Sequence, residues 1–580
     1  MDNMFPDETE EKLKRHFKII YGEEKLHDCL KRVGHLLQAY QLQPGKMGKP
    51  NLWTHEDHVL ITYGDMVKRS ESDSESNLKS LHRFIKEELA SIISTVHVLP
   101  FFPSSSDDGF SVIDYRRVDE TLGNWNDITE MSRDFRMMGD LVMNHTSRYS
   151  EWFRRFIERE EPYKNFFIEA DPKTDLSAVT RPRMSPLLTP VETDDGEKYV
   201  WTTFSNDQID VNFENPDVLF EYLDIFFCYI SKGLSVIRLD AVAFIWKEPG
   251  TSCIHLKQTH EIVKLMRTLV DCYSPETTII TETNVPHREN ISYFGAGDET
   301  HMVYQFSLPP LLLHAITTEN SFYLREWIRS LKILPDKCTY FNFTASHDGI
   351  GVRPLEGLIP KEEFDSLIEG IKKRGGFISE KKNPDGSLSP YEMNITYFDA
   401  FKDEKGDEEV QIQRFLCSQI LSMSLKGVPG IYFHNLTATR SNHEGVALSG
   451  HYRTINRKKW TYSDLQEMLD DGKSAGARVF SKMKEIIQCR KSVAAFDPFG
   501  KQLVFDSGKE LFFMLRKSRD TRESVLVAAN LSNENRAIDS RNLSLPVNLG
   551  RSYTDLLTGK ATLKDGRGEL APWQVWWLRL

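Results

Sequence analysis

Residues 234–242 read LSVIRLDAV. Leu234, Val236, Ile237, Leu239, Ala241 and Val242 are the residues of a buried β-strand. Arg238 and Asp240 interrupt them two apart, which places both on one face of that strand. An unassisted charge is costly in a protein interior, so buried charges are paired or functional. Taken alone, this strand asks for no more than a structural ion pair.

Working outward, the same pattern recurs. Short apolar runs occur at 59–64 (VLITYG), 94–102 (STVHVLPFF), 138–145 (MGDLVMNH), 278–284 (TIITETN), 302–306 (MVYQF), 340–348 (YFNFTASHD) and 427–433 (GVPGIYF). Helical patterns such as NLKSLHRFIKEELASII and KQTHEIVKLMRTLVDCY separate them. Eight β-runs alternating with helices predict an α/β fold, a (β/α)8 TIM barrel. About 90 residues separate the third and fourth runs and about 80 the seventh and eighth, too long for structureless loops, so both intervals predict inserted subdomains. They leave from strand C-termini, the face on which barrel enzymes build their sites.

The flanks differ from the barrel. Leu13, Phe17 and Ile20, then Leu26, Cys29, Leu30, Val33, Leu37 and Tyr40, form two helical stripes, and QPGKMGKPN ends that segment. Beyond about residue 495, LVFDS, LFFMLRK, SVLVAAN and VWWLRL read as short strands of a C-terminal β-sandwich. The expected organisation is a helical extension (1–55), barrel (56–146), inserted domain B (147–213), barrel (214–350), second insertion (351–411), barrel (412–494) and β domain (495–580). SESDSESN (70–77) reads as a solvated loop.

Composition narrows the function. The 580 residues carry 85 acidic and 73 basic side chains, a formal charge of −12. A nucleic-acid partner would call for a basic face, so none is expected. Seven scattered cysteines without a C-x-x-C pair read as reduced thiols of a cytoplasmic protein. The acidic, polar N-terminus does not resemble a secretory signal, and no apolar run approaches the ~20 residues of a membrane span. No cofactor is implied. The helical extension leaves a homodimer open.

The chemistry lies at the strand ends. The third run ends in Asp140-x-x-x-Asn144-His145, the fourth carries Arg238 and Asp240, the fifth Glu282, and the seventh ends in His347-Asp348. In a barrel these ends converge on one pocket. Four strands behaving alike exceed what an isolated ion pair explains. Three carboxylates with two histidines and an arginine suit glycosyl transfer, which needs one carboxylate as nucleophile or base and another as proton donor. The donor must hold its proton near neutral pH, whereas Arg238 should keep Asp240 ionised. A metal site is the competing use of His and carboxylates. There is no H-E-x-x-H or His-x-His, and the guanidinium would repel a cation, so no metal is expected.

DLVMNH, IRLDAV, TETN and SHD resemble the four short regions of the α-amylase superfamily, glycoside hydrolase family 13, in order across most of residues 59–460. The resemblance implies Asp240 as nucleophile, Glu282 as general acid/base and Asp348 as transition-state stabiliser, with His145, His347 and Arg238 holding a glucosyl unit. PFFPSSSDDGFSVIDYRRVDETLGNW, IRLDAVAFIWKEPGTSC, FSLPPLLLHA and HDGIGVRPLEGLIP are further similar to the sucrose phosphorylase subgroup. That similarity implies a dead-end glucose pocket closed by Asp107 and Arg457, and phosphate contacts at Arg183 (in TRPRMSP) and Tyr391. The substrates would be a glucoside and phosphate. Sucrose phosphorylases typically carry Tyr-Gln where this chain has Tyr391-Glu392. The glutamate and the extra N-terminal helices resemble relatives acting on glucosylglycerol or glucosylglycerate. A free carboxylate at Glu392 would accept from two vicinal hydroxyls and repel an acidic acceptor unless a cation offsets it. On that ground the expected substrate is 2-O-α-glucosylglycerol, with glucosylglycerate, sucrose and sucrose 6'-phosphate as alternatives. An α-glucosidase-type hydrolase would share the catalytic residues but lack the dead-end pocket and Arg183. A non-catalytic relative would lack one of the three carboxylates.

Overall fold

Each of the eight apolar runs forms a strand in the computed structural model, which describes residues 5–45, 53–69, 75–383, 386–539 and 552–580. Residues 70–74 of the charged run and 46–51 of the Gly/Pro-rich segment lie outside the described residues. The strands are β1 (Val59–Thr62), β2 (Thr95–Val98), β3 (Arg136–Val142), β4 (Leu234–Asp240), β5 (Thr278–Thr281), β6 (Met302–Tyr304), β7 (Thr339–Phe343) and β8 (Val428–Tyr432). Each pairs in parallel with its neighbours in sequence, and β1 pairs with β8 to close the barrel. Closure buries both faces of every strand, which is why the runs are apolar throughout rather than alternating.

Register then decides which charges meet. On the β3–β4 ladder Asp140 lies level with Arg238, and Val142 with Asp240. Arg238 therefore has a carboxylate beside it on the neighbouring strand as well as one two residues ahead on its own. Immediately after β4 the chain turns through Ala241 at φ 49°, a left-handed conformation unusual for a residue with a side chain.

The two N-terminal stripes form α1 (Asp7–Tyr21) and α2 (Leu26–Ala39), and both bury their apolar residues. Phe17 is fully buried and stacks on Phe220 of α3 (Pro216–Ser231) at 6.1 Å. His16 is held between Glu261 (2.7 Å) and Thr268 (3.1 Å) of α4 (Lys257–Tyr273). The stripes thus cover the outside of the barrel, and their apolar residues are spent within the chain.

After β3 come a short helix (Glu151–Ile157) and a hairpin of Leu188–Thr193 with Gly196–Trp201. The interval after β7 holds a three-stranded sheet with Leu388–Asn394 at its centre, between Ile350–Gly351 and Phe377–Lys382. Gly349 is required where this sheet begins, because a Cβ there would lie 2.6 Å from the Met393 carbonyl and the Glu392 side chain. At the C-terminus, strands Lys501–Phe505, Leu511–Lys517, Ser524–Asn530 and Val575–Arg579 make an antiparallel sheet. One face, with Phe512, Met514 and Trp577, joins the main core, while the other packs Phe513, Leu526 and Trp576 under a smaller strand pair. All seven cysteines are free, and among the described residues no helix is long and apolar enough to cross a membrane.

Candidate active site

The C-terminal ends of β3, β4, β5 and β7 converge on one cavity of ≈ 70 Å³. Its lining includes Asp240, Glu282, Asp348, His145, His347, Asp107, Arg183 and Tyr391, eight of the residues singled out from sequence. Asp240 and Glu282 come from adjacent strand ends. The Ala241 N–H, turned inward by the left-handed backbone, donates to Glu282 Oε2 at 3.2 Å.

Behind this floor runs a buried chain of charge. His97 on β2 bonds Asp140 (2.7 Å), Asp140 pairs with Arg238, and Arg238 Nη1 reaches Asp240 Oδ1 at 2.7 Å. Asp140 is fully buried, which opposes ionisation, yet His97 and Arg238 pull its pKa down to about 2. Arg238, expected from the sequence to keep Asp240 ionised, is divided between two carboxylates, Asp140 and Asp240. Burial drives Asp240 well above the ordinary carboxylate range; Arg238 opposes that rise, and Glu282, Asp140 and Asp348 add to it. Glu282 is likewise raised by burial. Each of the two carboxyls thus makes ionisation of the other less favourable. Arg238 lies 2.7 Å from Asp240 but 3.8 Å from Glu282, which favours the anion on Asp240 and the proton on Glu282.

Asp348 behaves oppositely. Burial works against its charge, but Arg453, His347, Arg457 and Arg238 surround it and hold it far below the usual range. Arg453 Nη1 sits 2.6 Å from its Oδ1. His347 stacks on Phe110 at 4.6 Å and is kept neutral by burial, with its pKa lowered to about 3. Burial lowers His145 as well, and its Nε2 faces the Phe110 carbonyl (2.9 Å) and Gln208 (3.1 Å). Asn144 does not face the cavity but accepts from Lys247 at 2.8 Å, which also pairs with Asp210.

Asp107 lines the cavity, and it and Asp108, consecutive residues with positive φ, are both held by Arg457. Asp tolerates that conformation better than most residues. Arg457 also donates to the His347 carbonyl at 3.0 Å. Arg183, also in the lining, lies over the rings of Tyr391 (5.3 Å) and Phe204 (5.7 Å).

Glu392 departs from the expectation. Alternation along its strand sends Tyr391 into the cavity and Glu392 away from it. Its carboxylate is 1% exposed and holds Arg453 through two contacts of 3.0 Å. Glu392 is thus a support for a cavity-lining cation and does not itself line the cavity. Arg238 and Arg457 also stand behind the lining, one step from the cavity.

Sequence reasoning missed His97, Arg353 and Arg453. His97 had a signal, being the one imidazole in the apolar run TVHV. Arg453 had none, since it lies in the polar run HYRTIN, and Arg353, although inside the quoted motif HDGIGVRPLEGLIP, stands among Val352, Pro354 and Leu355 on a short 3-10 turn with no period to mark its side. Among the described residues no group of three His, Cys, Asp or Glu side chains is arranged to hold a metal.

Comparison with known proteins agrees with this architecture. The family described as "Alpha amylase, catalytic domain" matches residues 87–349. A glucosylglycerate phosphorylase of Spirochaeta thermophila is 46% identical over 533 residues, 90% of each chain. A glucosylglycerol phosphorylase of Marinobacter adhaerens is 29% identical over 454 residues, 76% of this chain and 88% of that one. The crystal structure of sucrose 6F-phosphate phosphorylase from Thermoanaerobacter thermosaccharolyticum superposes with a TM-score of 0.71 at 25% identity, covering 82% of this chain and 94% of the other. From these matches and the barrel that carries the site, the chain belongs to the disaccharide phosphorylases of the α-amylase family, glycoside hydrolase family 13.

Proposed function

We propose that the chain catalyses reversible phosphorolysis of an α-glucosylglycerate, yielding α-glucose 1-phosphate and glycerate. Asp240 attacks the anomeric carbon while Glu282 gives its proton to the departing glycerate oxygen, forming a β-glucosyl ester. Asp348, held ionised by Arg453, accepts from the sugar hydroxyls; neutral His145 and His347 donate to them. Phosphate then enters where glycerate left, anchored by Arg183 against Tyr391. Glu282, now a carboxylate, takes the proton of the attacking phosphate oxygen. Two inversions return the α-configuration.

The observation that carries the acceptor is the Glu392–Arg453 pair. The case for glycerol treated Glu392 as a free carboxylate that would repel an acid. Arg453 is the offsetting cation, bound to it through two nitrogens. With that charge cancelled, the cavity retains Arg183 and Arg353, and an acidic acceptor becomes the better match. The 46% identity to a glucosylglycerate phosphorylase, against 29% to a glucosylglycerol phosphorylase, supports the same reading. Reverse phosphorolysis from α-glucose 1-phosphate, run with glycerate, glycerol, fructose and fructose 6-phosphate, tests it. Glycerate should give the highest kcat/KM. Preference for glycerol would restore the earlier assignment, and glucose release at equal rate without any acceptor would refute the phosphorylase.

A further inference from the structure

We propose that Arg353 is the residue that recognises the carboxylate of the acceptor, an inference that rests on the glycerate reading above. Besides Arg353, four arginines stand at or directly behind the cavity and belong to other work, and a fifth lies two residues before Arg183. Arg238 is taken by Asp140 and Asp240, Arg453 by Asp348 and Glu392, and Arg457 by Asp107 and Asp108. Arg183 packs on two aromatic rings on the side assigned to phosphate. The fifth, Arg181, is turned to the Ser185 carbonyl of its own loop.

Arg353 differs from all of these. Its side chain is 13% exposed and lines the cavity, and its nearest carboxylate is Glu356 at 3.9 Å. Glu356 is half exposed and also faces Lys381 at 3.7 Å, so it neutralises neither cation well. Arg353 Nε is buried with no hydrogen-bond partner. A buried N–H without a hydrogen-bond partner is costly, and a bound anion that accepts from it removes that cost.

Its position suits the carboxylate. The backbone on either side is pinned: Val352 N–H donates to the Tyr391 carbonyl (3.1 Å), and the Ser307 hydroxyl donates to the Pro354 carbonyl (3.0 Å). Two residues earlier, Gly351 approaches Asn284 so closely that a Cβ would lie 2.7 Å from its amide. Asn284 follows Glu282 by two residues, lines the same cavity, and has a buried oxygen without a partner. The loop carrying Arg353 therefore stands on the side of the cavity where Glu282 meets the leaving oxygen. In glycerate the carboxylate is at most two carbons from whichever hydroxyl bears the glucose. A planar guanidinium can take both carboxylate oxygens in parallel, which a hydroxymethyl group cannot match.

The test is the ratio of kcat/KM for glycerate to that for glycerol in reverse phosphorolysis, measured for the full chain and for Arg353→Gln and Arg353→Lys. Glyceramide serves as the uncharged analogue, and phosphate KM is measured in parallel. Loss of a charge-assisted pair should lower the ratio about 10- to 150-fold in Arg353→Gln. Arg353→Lys should recover part of it, and glyceramide should not distinguish the variants. If wild type itself prefers glycerol, the functional reading fails before any variant is made. If wild type prefers glycerate and Arg353→Lys and Arg353→Gln keep that ratio within threefold, this inference alone is overturned. It is also overturned if the variants raise phosphate KM while the acceptor ratio holds. Unfolding midpoints identify a variant that fails to fold, and Arg353→Lys, which keeps charge and most of the volume, then decides.

Discussion

Replacing Glu392 by Gln should penalise every acceptor alike. The carboxylate is buried and meets Arg453 through two contacts of 3.0 Å, while Arg453 Nη1 lies 2.6 Å from Asp348. Gln keeps one accepting oxygen and turns an NH2 toward the guanidinium, so one charge-assisted bond of about 1.5–3 kcal/mol is lost. Stripping a buried cation of all partners would cost about 3–5 kcal/mol, but Asp348 still pairs with Arg453, so the smaller figure applies. The released guanidinium leans further on Asp348, the carboxylate proposed to hold the sugar hydroxyls in the transition state. Because that contact is to the glucosyl unit, kcat/KM should fall by up to about 150-fold whatever the acceptor. Urea unfolding gives the stability term, and initial rates with glycerate, glycerol and fructose give the catalytic one. An unchanged unfolding midpoint together with a loss confined to glycerol would show that Glu392 reaches the acceptor, and would refute the reasoning.

Three further outcomes follow from the same geometry. Glu282→Gln should slow phosphorolysis of the glucoside about 10²–10⁴-fold, yet barely affect fluoride release in the glucosylation step from α-glucosyl fluoride, whose leaving group needs no proton. Because burial raises Glu282, wild-type kcat/KM should fall as pH climbs through that raised pKa and the donor loses its proton; an alkaline limb persisting in the variant would contradict the assignment. Arg183→Ala should raise phosphate KM by about tenfold or more with little change in glucoside KM, and equal changes in both would remove Arg183 from the phosphate site. Phe17→Ala empties a fully buried ring position between α1 and the barrel and should cost about 3–5 kcal/mol in urea unfolding; a cost below about 1 kcal/mol would mean that α1 contributes little to global stability.

Much of this molecule was legible in its residues. Eight apolar runs at βα spacing determine a barrel, because burial on both faces leaves strands no alternation to show. Asp240, Glu282, His347 and Asp348 were visible as polar ends to such strands, since closing a barrel brings strand ends together whatever their separation in the chain. The stripes of α1 and α2 announced packing surface, although only the structure showed that the surface they cover is this chain's own. What the sequence could not decide was who pairs with whom. Asp140 meets Arg238 because ladder register sets the two level, and His97, level with Met138, reaches Asp140 two residues further along β3. Glu392 and Arg453 lie 61 residues apart on a hairpin and a short 3-10 turn, elements without a strong period. Whether Glu392 is a free carboxylate facing the acceptor or a buried counter-ion depends on which face of that hairpin turns to the barrel. Acceptor choice follows from the charge left after such pairings, a quantity summed in three dimensions over residues from distant segments, and so it belongs to the tertiary structure alone.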